Sequence, residues 1–361
     1  MPDFSEIRRT LHSNPGISGN EQYAHDLIVQ ELGNLSPTEL YDHVGGYGVV
    51  AYWKSAVESN KTLAFRADID ALPSGHRCGH DGHTAIMLRF AEIVAKNKNM
   101  PYNILLVFQP EEETGKGAKK IVASGLMQKH QVKAVFGMHN IPGYPKGSVL
   151  LNQNTFAAAS CGVMYMLHGR QTHASTPEKG LNPGLAVAEI ISKFSKLNKS
   201  SWKELKDFRQ TTLICCRVGE EAFGTSAGDG EVMFTLRTLT NDGMLDLMSL
   251  ADKITIDAAQ RYGLELQKRV REPFRATENN PELVGQLASF MGSEFSVVNL
   301  TKPFRWSEDF AEYLRFFPGA FFGVGSGEKQ PELHHPSFIF PDEIIEPAAH
   351  CFELIMNNIK I

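Results

Sequence analysis

Apolar positions in the first third of the chain follow two patterns, short continuous runs and runs with helical spacing. The continuous runs predict strands at 47–53, 62–67, 103–108 and 133–138, the last two buried on both faces. The helically spaced runs predict helices at 5–11, 21–32, 84–96 and 117–125. Because polar residues follow most of these strands, we expect a doubly wound α/β sheet with its chemistry at the strand ends.

The middle of the chain has a different order of elements. Strands are predicted at 163–169, 211–218, 232–238 and 264–270, with helices at 182–197 and 242–262. Strand, helix, two strands, helix, strand is the order of ferredoxin-like domains. We therefore expect a catalytic domain formed by 1–164 and 274–361, with a domain inserted at 165–273. The α/β pattern then returns, with helices at 282–291, 307–315 and 343–356 and a strand at 320–324 before a glycine-rich loop.

Composition narrows the class of protein. The 361 residues are 42% hydrophobic and 21% charged, as in ordinary soluble globular proteins, and this length favours two domains. A net charge of −5 without a basic stripe argues against a nucleic-acid partner. Five cysteines without a disulfide spacing favour a reduced, cytoplasmic setting. Neither a signal-peptide pattern nor a membrane-spanning run is visible, so no membrane partner is expected.

The stretch with the most potential metal-ligating side chains lies between Cys78 and His83. These six residues hold a thiol, a carboxylate and two imidazoles, separated by glycines that permit a tight turn: Cys78-Gly79-His80-Asp81-Gly82-His83. Such side chains bind zinc, or manganese where nitrogen and oxygen dominate. A lone cysteine or histidine is commonly structural, but packing gives no reason for this combination. The stretch predicts a metal site at a loop-to-helix junction.

Three further segments offer ligands at predicted strand ends: Glu111-Glu112-Glu113, His139 and His334-His335. Each alone could be a solvated turn or a structural histidine, but together they supply enough ligands for two cations. A two-metal site needs a bridging ligand, for which Cys78 is suitable, and a carboxylate that moves protons. In an extended segment neighbouring side chains point to opposite sides, so Glu113 would face the metals and Glu112 the water.

Four stretches carry a family resemblance: residues 66–73, 78–84, 109–113 and 307–310. They resemble the dinuclear metallo-amidohydrolases, the aminoacylase and carboxypeptidase-type metallopeptidases that include hippurate hydrolase, indoleacetyl-amino-acid hydrolase and N-acetyldiaminopimelate deacetylase. The resemblance covers nearly the whole chain. It implies a zinc-peptidase-like catalytic domain, an inserted ferredoxin-like dimerisation or lid domain, and a homodimer formed through that domain.

The resemblance also implies roles for single residues. The implied metal ligands are Cys78, His80, Glu113, His139 and His334. Glu112 would be the general base, and Asp68, in preference to Asp70, would orient a ligand. His173 would reach the partner subunit's active site and stabilise an oxyanion, and Arg237 would pair with a substrate carboxylate. From the residues themselves, Gly325 is predicted to let the glycine-rich loop approach the substrate. His83 is predicted to cap or pack.

Three departures from the family pattern lie in regions that would recognise substrate. Only residues 74–77 separate Pro73 from the cysteine motif, where the family has a longer segment. Residues 224–227 replace an Asn-Val-Ile-Pro stretch, and Glu178 replaces a histidine. The metal ligands are therefore expected intact, while the groups that select substrate are altered.

The function that we expect is hydrolysis of the amide bond of an N-acyl or N-aminoacyl amino acid by hydroxide generated at two divalent cations. Zinc, manganese, cobalt and nickel all fit the ligands. One alternative is a cysteine hydrolase with Cys78 as nucleophile, which leaves the glutamates and His334 without a role. Another is a non-catalytic or substrate-altered relative that binds a small ligand.

Overall fold

The computed structural model describes residues 3–200 and 203–361, which form two compact units. The first unit comprises 1–156, 277–303 and 308–361, and the second comprises 157–276 and 304–307. The predicted inserted domain, 165–273, lies within the second unit, whose first long strand begins several residues before position 165.

The first unit contains both helices and strands. The helices are α1 (Phe4–Ser13), α2 (Gln22–Asn34), α3 (His80–Lys96), α4 (Gly117–Ala123) and α5 (Leu126–Lys129). The strands are β1 (Glu39–Val44), β2 (Gly48–Trp53), β3 (Thr62–Asp68), β4 (Asn103–Gln109), β5 (Val132–Pro142) and β6 (Val149–Leu151).

The second unit contains β7 (Ala159–His168), β8 (Thr172–His173), α6 (Gly184–Ser195), β9 (Arg209–Val218), β10 (Thr225–Ser226), β11 (Asp229–Thr238), α7 (Asn241–Arg261) and β12 (Glu265–Phe274). The chain then returns to the first unit with α8 (Pro281–Met291), β13 (Val297–Asn299), α9 (Ala311–Leu314), β14 (Gly319–Gly327) and α10 (Ile345–Asn358). Short 3-10 helices cover Pro177–Lys179, Leu205–Asp207 and Asp342–Ile344.

An eight-stranded mixed sheet forms the centre of the first unit, in the order β1-β2-β4-β3-β5-β14-β6-β13. Its four central strands, β4, β3, β5 and β14, run parallel. Alternate residues of these strands, such as Phe65 and Phe136, pack with α1, α2, α3, α8 and α10. On the opposite face, Phe310 contacts Phe321 with ring centroids 4.9 Å apart. Both faces of the central strands are buried, which confirms the predicted doubly wound α/β fold.

The second unit has an antiparallel sheet in the order β12-β7-β11-β9. Inward residues of β7 and β11, including Tyr165 and Phe234, pack against apolar residues of α6 and α7. The chain order of β7, α6, β9, β11, α7 and β12 is the ferredoxin-like order that the sequence predicts.

Several predicted boundaries differ from the structure. The strand predicted at 133–138 extends through Pro142, so His139 lies inside β5. The glycine-rich segment after Val324 continues β14 and is not a loop. The helix predicted at 307–315 is reduced to α9, and the helix predicted at 117–125 ends at Ala123, two residues early. A separate short helix, α5, begins after Gly125, whose φ is +74°. In the part of the chain that the structure describes, no helix is both long and apolar enough to cross a bilayer.

Candidate metal centre

The cysteine motif lies where a loop enters α3, as the sequence predicts. Gly79 precedes the helix with φ of +100°, and a Cβ atom there would lie 2.4 Å from Oδ1 of Asn140. Only glycine therefore fits between the loop and β5. The close approach places the Cys78 Sγ atom 3.5 Å from Nε2 of His139, and both residues are buried.

The rings of His80 and His139 are each oriented through Nδ1. His80 Nδ1 lies 2.9 Å from the backbone oxygen of Asp70, and His139 Nδ1 lies 2.9 Å from that of Asn140. A carbonyl oxygen only accepts, so Nδ1 carries the proton and donates, which leaves Nε2 with a lone pair in the neutral ring. Histidine ligands of metals are held in this way.

Glu112 and Glu113 lie in a turn and not in an extended segment. Glu111 begins this turn with φ of +54°, and the Gly115 N–H donates to the Glu112 carbonyl. The expectation that the two glutamates face opposite sides is therefore wrong, because turn geometry replaces the alternation of a strand. One carboxylate oxygen of each lies, with a nitrogen of His80, in a group whose atoms are all within 4.8 Å of one another.

His334 approaches the same point from the segment after β14. Its φ is +68°, an uncommon conformation for a residue with a Cβ, and its N–H donates to the Arg77 carbonyl at 2.8 Å. Its Nε2 atom lies 3.8 Å from Oε1 of Glu113. The side chain remains 54% exposed, so this is the open side of the cluster. Strained backbone of this kind persists where the surrounding contacts hold it.

The five predicted ligands thus converge in overlapping groups whose donor atoms lie within 4.8 Å of one another. These groups are Cys78 with His80 and His139, Cys78 with Glu113 and His334, and His80 with Glu112 and Glu113. Nε2 of His80 and Oε1 of Glu113 are buried and make no hydrogen bond with any described residue. Buried polar atoms are rarely left unpaired, so the donor set fits a bound cation.

Asp68 reaches the cluster mainly through histidine. Its Oδ1 atom lies 2.6 Å from Nδ1 of His83, and its Oδ2 atom lies 3.8 Å from Nε2 of His80. The Nε2 atom of His83 accepts from the Asn140 backbone N–H at 3.2 Å. His83 therefore connects Asp68 to β5, a hydrogen-bonding role beyond the capping or packing predicted. Asp70 also contributes, because its Oδ1 atom is 3.4 Å from Nδ1 of His80.

Comparisons with known proteins identify the family. A model of the family described as peptidase family M20/M25/M40 matches residues 64–358. The chain belongs to this family. An uncharacterized hydrolase of Staphylococcus saprophyticus is 28% identical, over 98% of this chain and 96% of that protein. Another, from Staphylococcus epidermidis, is also 28% identical, over 98% of this chain and 97% of that protein.

Solved structures show the same fold. The Bacillus subtilis YXEP protein, a dinuclear metal binding peptidase from the M20 family, superposes with a TM-score of 0.83 at 24% identity, over 97% of this chain and 95% of that chain. The aminobenzoyl-glutamate utilization protein of Klebsiella pneumoniae gives a TM-score of 0.72 at 19% identity, over 98% and 94%. The family match makes the chain a hydrolase of the M20 peptidase family, which acts on amide or peptide bonds.

A buried arginine supports the centre of this M20 hydrolase. Arg66 on β3 is 1% exposed and donates to Asp68 at 2.6 Å, to Glu308 at 2.8 Å and to Asp309 at 2.8 Å. Its Nε atom donates to Gln109 at 2.8 Å. These acidic groups raise the Arg66 pKa well above its ordinary value, although burial acts in the opposite direction. The positive charge of the Arg66 guanidinium therefore balances the buried carboxylates of Asp68, Glu308 and Asp309 beside the candidate ligands.

We expect Arg66→Met to be strongly destabilising. Removing one partner of a buried ionic network leaves uncompensated charge, which costs about 3–5 kcal/mol. Urea unfolding of the metal-free protein would measure the change. Arg89→Met is the matched control, since Arg89 pairs with Glu92 and Glu346 near the surface and its loss should cost at most about 1 kcal/mol. Equal losses in the two variants would contradict the role given to Arg66.

Burial shifts the pKa values of the candidate ligands. It raises the pKa of the Cys78 thiol well above its ordinary value and that of Glu113 to about 7, and it lowers the pKa of His139. Burial also raises the pKa of Glu112 well above its usual range, and Glu308 and Asp309 add to this effect. Asp68 differs, because the His80 and Arg66 charges outweigh burial and hold its pKa well below the ordinary value.

The remaining predicted residues are described by their local contacts. His173 in β8 is exposed, and its Nδ1 atom lies 2.7 Å from the Ser175 hydroxyl. Arg237 in β11 donates to the Arg305 carbonyl at 2.7 Å and the Ser307 hydroxyl at 3.1 Å. Gly325 is buried in β14, where a Cβ atom would lie 2.1 Å from the Pro145 carbonyl oxygen. The Pro145 carbonyl explains why this position needs a glycine, and the approach of Gly325 to a substrate stays a prediction.

Sequence reasoning missed the network behind the ligands. Asn140 and Tyr313 lie outside the four stretches that carry the family resemblance, and Gln109 is only the first residue of one of them, so none was predicted to have a role. Tyr313 donates to Gln109 at 2.9 Å, and Gln109 donates to Asp309 at 2.8 Å. Arg66 was identified from the sequence only as part of the 66–73 stretch that carries the family resemblance. A charged residue inside an otherwise apolar strand is the signal that could have identified it.

Proposed function

We propose that this M20 hydrolase cleaves the amide bond of N-acyl or N-aminoacyl amino acids with two divalent cations held by Cys78, His80, Glu113, His139 and His334. The observation that carries the proposal is the convergence of a thiol, imidazoles and carboxylates around His80 Nε2 and Glu113 Oε1, which make no hydrogen bond in the described parts of the chain. When bound, two such cations polarise a carbonyl group and lower the pKa of water. Zinc, cobalt, nickel and manganese all match this donor set.

Glu112 is the general base of the proposed reaction. Its Oε1 atom accepts from the Asp309 backbone N–H at 3.3 Å, which positions the carboxyl group beside the ligands. Its raised pKa suits a group that takes a proton from water and returns it to the leaving nitrogen. Asp70 keeps the His80 ring in place through its carbonyl oxygen, and Asp68 orients His83, so both aspartates are positioning residues.

Arg237 is the proposed partner of the substrate carboxylate. Among the described residues, it donates hydrogen bonds to a carbonyl and a hydroxyl, both neutral. Burial lowers its pKa, so a carboxylate that neutralises the guanidinium would be bound favourably.

We expect Arg237→Met to raise KM for acyl-amino acids by about 10- to 100-fold with little change in kcat, because a charge-assisted hydrogen bond contributes about 1.5–3 kcal/mol to binding. Steady-state kinetics on paired substrates with a free and an amidated α-carboxyl would measure this. Arg261→Met is the control, since Arg261 in α7 forms an exposed ion pair with Glu189 in α6, outside strand β9. An unchanged KM, or an equal effect on the amidated substrate, would overturn the assignment.

A homodimer through the second unit is proposed, with His173 acting on the partner subunit's substrate. Support comes from β9, the edge strand of its sheet, which exposes the apolar side chains of Leu213, Ile214 and Val218. Unpaired edges with apolar side chains favour pairing with another chain. Sedimentation velocity tests the proposal, and a monomer at micromolar concentration would refute it.

The altered stretch 224–227 favours a change of substrate over a loss of catalysis. Gly224 accepts a hydrogen bond from the Ala174 N–H at 3.0 Å, and Thr225 pairs with His173 across the two-stranded sheet of β8 and β10. The residues that depart from the family pattern are therefore the ones that hold the segment containing His173 in place. A panel of acyl-amino acids and dipeptides, assayed with each of the four metals, tests the function. Failure of every substrate with metal bound would favour the ligand-binding alternative.

Metal binding should be coupled to proton release. Cation ligands must be deprotonated, and burial raises the pKa of Glu113 to about 7 and that of Cys78 above its ordinary value. We expect zinc affinity to fall as pH decreases through 7, by about tenfold per pH unit for each proton displaced. Titration calorimetry in buffers of different ionisation enthalpy would count the protons. An affinity independent of pH between about 5.5 and 8 would contradict the expectation.

The stability of the metal-free protein should depend on pH in the opposite direction to its zinc affinity. The folded pKa of Glu113 lies above its ordinary value of 4.5, so the folded state holds this proton more tightly than the unfolded state. The contribution of Glu113 to the free energy of unfolding is therefore complete below pH 4.5 and is lost as pH rises through about 7.

A further inference from the structure

A second group of metal-ligating side chains lies in the first unit, apart from the residues assigned above. It consists of His25 on α2 and of Asp42 and His43 on β1, and one donor atom from each lies within 4.8 Å of the others. His25 is 4% exposed, whereas Asp42 and His43 are exposed. The imidazole rings of His25 and His43 stack with centroids 4.1 Å apart.

An irregularity in β1 brings its two residues to the same place. The pairing of β1 with β2 shifts between Tyr41 and Val44, so Asp42 and His43 together oppose Val49. His43 has φ of +50°. In a regular strand, neighbouring side chains point to opposite faces, and a bulge changes the direction of one of them. The bulge thereby lets adjacent residues approach one imidazole.

The His25 ring has the hydrogen bonding of a metal ligand. Its Nδ1 atom lies 2.9 Å from Oδ1 of Asp26, and a carboxylate can only accept, so Nδ1 donates. Its Nε2 atom is buried and makes no hydrogen bond with any described residue. Carboxylate, imidazole and metal in series is a recurrent arrangement at zinc sites, in which the carboxylate fixes the tautomer. An unpaired ring nitrogen in a buried side chain otherwise weakens the fold.

We propose that His25, Asp42 and His43 bind a further divalent cation of the zinc class, independent of the centre at Cys78. Two imidazoles and one carboxylate are a donor set that zinc, copper and nickel accept, with a remaining position for water. The ion would link α2 to the bulge in β1 and so stabilise this part of the first unit. None of the three donors is a proposed ligand of the catalytic cations.

Zinc stoichiometry tests the proposal on the full-length protein. The protein is treated with chelator, loaded with Zn²⁺ and desalted, and bound zinc per chain is measured by mass spectrometry. The double variant Asp42→Asn/His43→Ala should retain one equivalent less than the parent, whatever number the other centre holds. Both substituted side chains are exposed, so folding is expected to persist, and circular dichroism checks it. Asp26→Asn should bind zinc at this site about 10- to 100-fold more weakly.

The control is His168→Ala/Asp229→Asn, which removes an exposed histidine–carboxylate pair 2.7 Å apart from the second unit. It should bind as much zinc as the parent. A difference below half an equivalent between the parent and the Asp42/His43 variant, with both folded, overturns the proposal. An equal loss of zinc in the control also overturns it, because binding would then be adventitious. The zinc-induced rise in Tm should likewise be smaller in the Asp42/His43 variant than in the parent.

Discussion

Glu112→Gln is expected to reduce kcat by about 10²- to 10⁴-fold while the protein still binds its cations, because the amide keeps the shape of the side chain and loses the basic oxygen. The buried carboxyl group lies beside the candidate ligands and accepts from the Asp309 N–H at 3.3 Å. Steady-state kinetics on the best substrate of the panel, together with metal analysis, would measure both quantities. A general base acts on the chemical step, so the loss should appear in kcat more than in KM.

Glu111→Gln is the matched control, because Glu111 adjoins the same turn and forms an ion pair with Lys120. Its loss removes a partly exposed pair and should change kcat by no more than a few-fold. A Glu112→Gln enzyme with full kcat would refute the proton-transfer role. Loss of bound cations in that variant would instead make Glu112 a ligand.

Removal of divalent cations is expected to abolish activity to the level of the uncatalysed reaction, and addition of one of the four candidate metals should restore it. The reason is that the buried donors around Cys78 have no other evident means of activating water or a carbonyl group. Dialysis against chelator, followed by assays during metal titration, would measure the loss and the recovery.

The same experiment separates this mechanism from a cysteine nucleophile. Burial raises the pKa of Cys78, which disfavours the thiolate needed for nucleophilic attack in the absence of metal. Full activity in excess chelator, abolished by thiol alkylation, would support the nucleophile and refute the metal mechanism. Cys78→Ser should bind the cations more weakly, since a hydroxyl is a poorer ligand than a thiolate.

Much of the fold could be predicted because its central strands are buried on both faces. Continuous apolar runs such as 103–108 leave a strong signal, and Asn103–Gln109 is the resulting strand. The edge strand Glu39–Val44 was missed because its mixed polar sequence has neither a continuous run nor a clear alternation. The short strands β6 and β13 were missed because three residues carry too little pattern.

The candidate site was predicted in its residue types but not in its backbone geometry. Cys78, His80 and His139 carry a ligand signal in their chemistry, whereas the positive φ values of Glu111 and His334 depend on tertiary contacts. For this reason the orientation of Glu112 and Glu113 was predicted wrongly. Gly325 shows a related limit, because a glycine in the sequence indicates that another group lies close to the backbone but does not identify that group.

The position of β14 has a consequence for biosynthesis. This strand pairs with β5 and β6 inside the larger sheet, yet the entire second unit is translated between β6 and β14. Until β14 leaves the ribosome, β5 has an open flank of unpaired amides and carbonyls that another chain could join. Nascent molecules are therefore vulnerable to aggregation late in synthesis, and the catalytic half completes its folding after the inserted one has had time to form.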